Sequence, residues 1–256
     1  MITNPIGTLS LSKREIHRFA VMAAQTIFPP ILTSTLFMFI FGVAIGSRID
    51  FSSTGLAYLN FIVPGLMTMH LMSASYENTS ASLFIGRWHN HIQEILLAPL
   101  SFFEMVLGLL AGGVMRGFVV CIGIYLVSQF FTIHVIEHPF LLIYFVLAIS
   151  VIFSCAGMMG ALYAEDFGML SMWNIYVNFP LVLMGGVFHP LAMLPEPVQL
   201  ISKFNPMFYL VQGMRYSVTG VSDVSVATCA FVALGMAFFF FLATIYLFKI
   251  GYKLRS

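Results

Sequence analysis

Residues 138–164 read HPFLLIYFVLAISVIFSCAGMMGALYA, a run without Asp, Glu, Lys or Arg. A bilayer core is about 30 Å thick, and a helix needs roughly 20 mainly apolar residues to cross it. Inside hydrocarbon each backbone N–H and C=O must find its partner within the segment, which a helix provides. Five more runs of 20 residues or longer share the property: Phe19–Ser47, Phe51–Tyr76, Gly117–Ile136, Phe167–Pro195 and Val224–Phe248. They predict an all-α polytopic membrane protein with six transmembrane helices.

Composition agrees. Of 256 residues, 60% are hydrophobic and 8% charged, with a mean hydropathy of +0.97. A soluble domain carries about 25% charged residues, so this chain needs lipid around it. A net charge of +1 gives no reason to expect a nucleic-acid partner. Cys121, Cys155 and Cys229 fall in three different apolar runs and form no CxxC pair, so neither a disulfide framework nor a metal cage is expected. The first long apolar run starts too late and is too long for a cleaved signal peptide. Six spans and short connections account for residues 1–256 as one domain, leaving no segment for a nucleotide-binding fold.

The spans are expected near residues 26–45, 58–83, 102–131, 141–164, 169–188 and 224–250. Ahead of the first, residues 9–25 interleave Lys13, Arg14 and Arg18 with Ile16, Phe19 and Ala20, the pattern of a helix lying on a membrane surface; a plain charged tail is the alternative. Pro29 and Pro30 fit a first helical turn, whose N–H groups lack helical partners. Between the fifth and sixth spans, His189–Asp223 carries Pro190, Pro195, Pro197 and Pro206 among Leu, Met, Phe and Tyr. That is too apolar for a free loop and fits a re-entrant helical segment shielded by protein. With the N-terminus inside, Lys13, Arg14, Arg18, Arg87, Lys249, Lys253 and Arg255 face the cytoplasm, against Arg48, Lys203 and Arg215 outside. The excess places both termini in the cytoplasm.

Few residues can carry chemistry. None of Lys13, Lys203, Lys249 and Lys253 sits in a phosphate-binding glycine loop, so no ATP site is expected in this chain. His134, Glu137 and His138 spell H-x-x-E-H, but Pro139 cuts off the helix that a metal site of this type requires. His89, His91 and Glu94 form a looser cluster that reads as polar surface. Arg116 lies inside the third span, where a charge needs a partner. Glu77, in the second span, is within reach; the two can pair, or each can snorkel to water separately. Gly108 with Gly112, Gly113 with Gly117, and Ala156 with Gly160 are small-residue pairs that let helices approach closely, within one bundle rather than across a dimer. Residues 86–99 place Trp88, Ile92, Ile95 and Leu96 at helical spacing, with Asn90, Gln93 and Glu94 opposite and Pro99 as a stop. They predict a short amphipathic helix on the inner surface, either simple interfacial packing or a docking element for a cytoplasmic partner.

Four motifs, in order, resemble the ABC-2 type permeases, the membrane subunits of ATP-binding cassette exporters. Residues 58–65 (YLNFIVPG) are similar to the Y-x-x-F-x-x-P-G opening of the second span, and residues 92–99 (IQEILLAP) to the I-E-E-L-L-x-A-P coupling segment. Gly185, Gly186 and Phe188 with Leu194 and Pro195 resemble the G-G-x-F…L-P end of the fifth span. Asn205, Pro206, Tyr209, Gly213 and Arg215 resemble N-P-x-x-Y-x-x-x-G-x-R before the sixth. The likeness runs from about Lys13 to the C-terminus and is greatest to inner-membrane permeases of Gram-negative bacteria. Two departures stand in the coupling segment: Asn90 replaces a frequent basic residue and Gln93 the first of two glutamates, which leaves Glu94 as its carboxylate.

The resemblance implies two copies of this subunit forming the pathway, whose Phe, Met and Tyr suit an amphipathic cargo such as lipid-linked glycans, lipids or drugs, above two copies of an ABC ATPase that bind ATP and Mg. It implies a coupling helix built on Arg87, Trp88, Ile92, Glu94, Ile95, Leu96 and Pro99, and an outer gate built on Phe188, Pro195, Asn205, Pro206, Tyr209 and Arg215. No catalytic residue, metal or cofactor is expected in the chain itself. A stand-alone ion-coupled carrier would need more ionisable groups near the midplane than Arg116 and Glu77, and a membrane enzyme would need converging polar groups that only the H-x-x-E-H turn could offer.

Overall fold

The computed structural model describes residues 4–45, 56–133 and 135–253. Its elements are α1 (Pro5–Val21), α2 (Ala23–Thr26), α3 (Phe28–Phe37) with a π-helical continuation Met38–Ile45, α4 (Tyr58–Trp88), α5 (Ile92–Leu97), α6 (Phe102–Ser128), α7 (Pro139–Tyr163), α8 (Phe167–Trp173), a π-helical turn Asn174–Asn178, α9 (Phe179–Leu183), a 3-10 turn Leu191–Met193, α10 (Glu196–Phe204), α11 (Pro206–Thr219) and α12 (Val226–Ile250). Among the described residues there is no strand, and four helical stretches are long and apolar enough to cross a membrane: Ala23–Gly42, Phe102–Ser128, Pro139–Tyr163 and Val226–Ile250.

The second expected span is α4, 31 residues long or about 46 Å at 1.5 Å per residue. It is less apolar than those four because Asn60, His70, Glu77, Asn78 and Arg87 lie along it. It can carry them because it is the central rod, packed most extensively on α7 and α6 and also touching α11. The fifth expected span is Phe167–Leu183, in three short pieces around the π turn. The first breaks at Ile27, one residue before Phe28-Pro29-Pro30, because two consecutive residues without N–H cannot continue the ladder. The surface helix expected at residues 9–25 instead spans Pro5–Val21: the Asn4 side chain accepts from Gly7 N–H at 3.0 Å and starts it earlier. It packs along α6.

Small residues set the spacing of the bundle. A Cβ at Gly113 would strike Ser154 Oγ and Thr79, and one at Gly117 would lie 2.5 Å from Ser75 Oγ. On α7, a Cβ at Gly157 would overlap the backbone oxygen of Tyr76. Hydroxyls then tie the three helices: Thr79 Oγ1 donates to Ser154 O at 2.8 Å and Ser75 Oγ to Gly113 O at 3.2 Å. The other pair on α6 receives α1, since a Cβ at Gly108 would meet Leu11 and one at Gly112 would meet Glu15 Cβ at 2.8 Å. Both pairs therefore serve contacts within one chain. Around this centre the outer faces of α3 and α12 carry exposed Leu32, Leu36, Phe39, Phe231, Phe238 and Leu242, the surface that hydrocarbon covers.

Gly157→Val should separate α4 from α7 and cost about 1–3 kcal/mol, the usual penalty of overpacking. Gly235→Ala, with open space around its Cα, should be neutral. Thermal unfolding of the detergent-solubilised protein, followed by loss of the monodisperse fraction, measures both.

Candidate functional site

The motif residues singled out in the sequence collect at the two ends of α4, and Arg116 and Glu77 lie between them. At its N-terminal end three of the four motifs meet. Tyr58 OH donates to Phe188 O at 3.1 Å, and Gly65 lies so close to the turn after α9 that a Cβ would stand 2.8 Å from Val187 O. Arg215, on α11 and only 1% exposed, donates from Nη2 to Gly186 O at 2.6 Å. Its guanidinium carbon sits 3.7 Å from the centre of the buried Phe61 ring, a cation–π contact that burial strengthens. Gly186 has φ +80°, which suits glycine. Asn205 closes the group: its Oδ1 caps α11 by accepting from Met207 N–H at 3.0 Å, and its Nδ2 donates to Leu181 O at 2.6 Å. Phe188 packs on Phe37 and Phe41 at 5.4 and 5.6 Å between ring centres. Tyr209 OH donates to Lys203 O at 2.9 Å, bridging α10 and α11. Pro195 lies immediately before α10 and Pro206 opens α11. Beside the turn, burial lowers the pKa of the His189 imidazole below its ordinary value.

At the opposite end α4 runs on through Trp88, so the single helix expected over residues 86–99 is two pieces. The chain turns at Asn90, with φ 61°, and resumes as α5. Ile92 and Ile95 are buried in a cluster with Leu11, Leu83, Phe84 and Leu109, while Leu96 is only partly covered. Glu94 faces outward with its side chain 77% exposed, and Leu97 is 86% exposed. Arg87 does not join that outer face. Its Nη1 donates to the carbonyls of Ala161, Leu162 and Ala164, capping the end of α7. Trp88 stacks on Phe84 and leans on Phe167. After Pro99, Ser101 and Glu104 form a capping box that starts α6, and Glu104 also accepts from Asn4 N–H.

Two polar joints lie between the ends. Arg116 Nη2 is 3.0 Å from Glu77 Oε2 and also donates to Thr26 O at 3.3 Å, where the helix break leaves that carbonyl available. Glu77 is 49% exposed at its side chain and accepts from Asn174 Nδ2 at 3.4 Å. Sequence reasoning missed the second joint. Glu15, 1% exposed, accepts from Arg14 at 2.8 Å, Arg18 at 3.3 Å and Ser82 Oγ at 2.6 Å. Arg18 Nη2 also donates to Asn78 O at 2.7 Å. A signal existed: Leu11, Glu15 and Phe19 share one face at four-residue spacing, so a carboxylate stood in the middle of an apolar stripe.

No metal site forms among the described residues. His134 lies outside them. Glu137 and His138 donate their backbone N–H groups to Val218 and Ser217, and the His138 ring stacks on Tyr216. His91 pairs with Glu94 at 3.5 Å, exposed.

Among the described residues these polar groups join the helices of an apolar bundle to one another. Residues 7–219 match the family described as ABC-2 type transporter, and the chain belongs to that family. It is 36% identical over 252 residues to the inner membrane transport permease YadH of Escherichia coli strain K12, covering 98% of both chains. The same figures hold for the permeases of that name from Escherichia coli O157:H7 and Shigella flexneri. The protein is a transport permease of this family, a component of a membrane transporter.

Arg215→Met should lose the bond to Gly186 and the contact with Phe61, at a cost of about 2–4 kcal/mol. Glu15→Gln should cost about 1–3 kcal/mol by weakening charge-assisted bonds at a buried site. Melting temperatures of the purified variants in one detergent test both.

Proposed function

We propose that this chain forms the translocation pathway of an exporter driven by a separate ABC ATPase, with two copies of each. The observation that supports this most is the continuity of α4. One unbroken helix carries the exposed α5 platform at one end and the Arg215–Phe61–Gly186 junction at the other. A push on α5 is thus carried along α4, through Pro64 in its first turns, to the group that holds α11 and the turn after α9. In this reading both termini and α5 face the cytoplasm, the ATPase receives Glu94, Leu97 and the outer side of α5 in a groove, and ATP with Mg stays in that partner. The α10–α11 pair is a re-entrant segment that gates the outer exit, with Phe188, Pro195, Asn205, Pro206 and Tyr209 around it. Six spans result when α4 and Phe167–Leu183 are added to the four apolar stretches.

The cargo is amphipathic in this proposal. A hollow of about 380 Å³ between α4 and Phe167–Leu183 mixes Glu77, Ser80, Ser171 and Asn174 with Tyr76, Phe167, Leu170 and Ile175. Such a surface can host a hydroxylated or charged head beside an apolar body. The relatives' description as inner membrane permeases fits this reading.

Glu94→Lys and Leu97→Asp change exposed residues, so the protein should fold as before. Each should cut recovery of the co-expressed ATPase about tenfold, equivalent to about 1.4 kcal/mol at the interface. Transport by the purified chain alone, without any ATPase, would defeat the proposal.

A further inference from the structure

A second hollow lies on the other side of α8, facing α12. It encloses about 350 Å³ and is lined chiefly by Tyr76, Met159, Tyr163, Met169, Trp173 and Phe240. From Ala156 to Ala164 on its wall is about 12 Å along α7, a depth suited to part of a hydrocarbon chain. Its edge is formed by half-exposed Tyr163, Met169 and Trp173. Beyond it the outer faces of α8 and α12 expose Met172, Phe238 and Phe239. Ala164 is also part of the wall of a neighbouring hollow of opposite character, lined by Phe84, Arg87, Trp88, Asn90 and Glu165. An apolar chamber and a polar one thus share a wall.

We propose that this pair of hollows is a binding site for a resident anionic phospholipid of the inner leaflet, with one acyl chain in the apolar chamber and the phosphate at Arg87. The cation left for an anionic headgroup is Arg87, which pairs with no carboxylate among the described residues: Glu165 is paired with Lys253 at 3.2 Å, and Asp166 accepts from Met169 N–H at the start of α8. Arg87 has Nη1 engaged by α7 carbonyls and Nε buried, while its Nη2 makes no hydrogen bond within the protein, so one donor is left for a phosphate. Basic pockets between helices on the cytoplasmic side attract acidic headgroups, and tyrosine and tryptophan at the chamber edge suit the depth where chain meets headgroup. An unfilled apolar space would forfeit dispersion contacts with its lining, and a lipid chain is what the bilayer supplies. The site shares Tyr76 with the Glu77–Asn174 hollow assigned to cargo and is otherwise lined by different residues. It rests on the proposed orientation only for the leaflet.

The test uses the full-length protein in nanodiscs of phosphatidylcholine and phosphatidylglycerol, with a photoactivatable diazirine in one acyl chain of either lipid. Peptide mapping should find labels enriched at Met159, Met169 or Trp173 over Phe238 and Phe239. The phosphatidylglycerol probe should label them about fivefold more than the phosphatidylcholine probe. Met159→Trp, which fills the chamber, should abolish the enrichment while leaving labelling of Phe238 and Phe239 intact; Ala156→Leu serves if that variant does not fold. Equal labelling by the two probes, or none in the chamber because a second protein copy covers it, would overturn the proposal. No ATPase is needed, so the outcome is independent of whether the export reading holds. Accessibility of cysteines placed at the termini reads the orientation separately.

Discussion

The close approach of α4 to α6 and α7 is the constraint on which the rest depends. Between helices in hydrocarbon the hydrophobic drive is absent, and association comes from packing and interhelical hydrogen bonds. Gly113, Gly117 and Gly157 let the backbones come within reach, and Ser75 and Thr79 then bond across to carbonyls of Gly113 and Ser154. A methyl group at any of these glycines would break both effects at once. The contact also shelters α4, which is too polar to face lipid along its length.

With α4 fixed, both ends of the molecule become addressable. Its N-terminal end receives a buried arginine from α11 and the tight turn at Gly186. A charge enclosed this completely is costly, and here a carbonyl and the face of Phe61 offset part of the cost. The other end holds α5 by two isoleucines and leaves Glu94 and Leu97 outside. Along the length, Glu77–Arg116 and Glu15–Ser82 join α4 to α6 and α1. Such joints restrict how the helices slide, and they are places where a shift in one is felt by the next.

Much of the fold was legible because a bilayer imposes a simple length-and-polarity rule. The runs around α6, α7 and α12 were readable as apolar rods, and the prolines marked where rods break: Ile27 before Pro29, Ala98 before Pro99, Asn205 before Pro206. The site was legible only in fragments. Arg116 and Glu77 stood out as charges in apolar runs. Glu15 was overlooked because its basic neighbours made it read as surface, although its spacing from Leu11 and Phe19 placed it on the buried face. Arg87 looked like part of an exposed docking helix, since a sequence does not show that the end of α7 brings three carbonyls beside it.

The sequence by itself determined that the chain is helical and lives in lipid, about where the apolar rods α6, α7 and α12 lie, and which short motifs it carries. Hydropathy, proline and glycine act locally, over one turn or one span, so these features are written in neighbouring residues. The tertiary structure alone decided that motifs separated by more than a hundred residues meet at Arg215, that each glycine pair on α6 serves a different partner helix, and that Arg87 turns inward. Those outcomes depend on how rods rotate and cross, and side chains far apart in the chain settle that only when they pack.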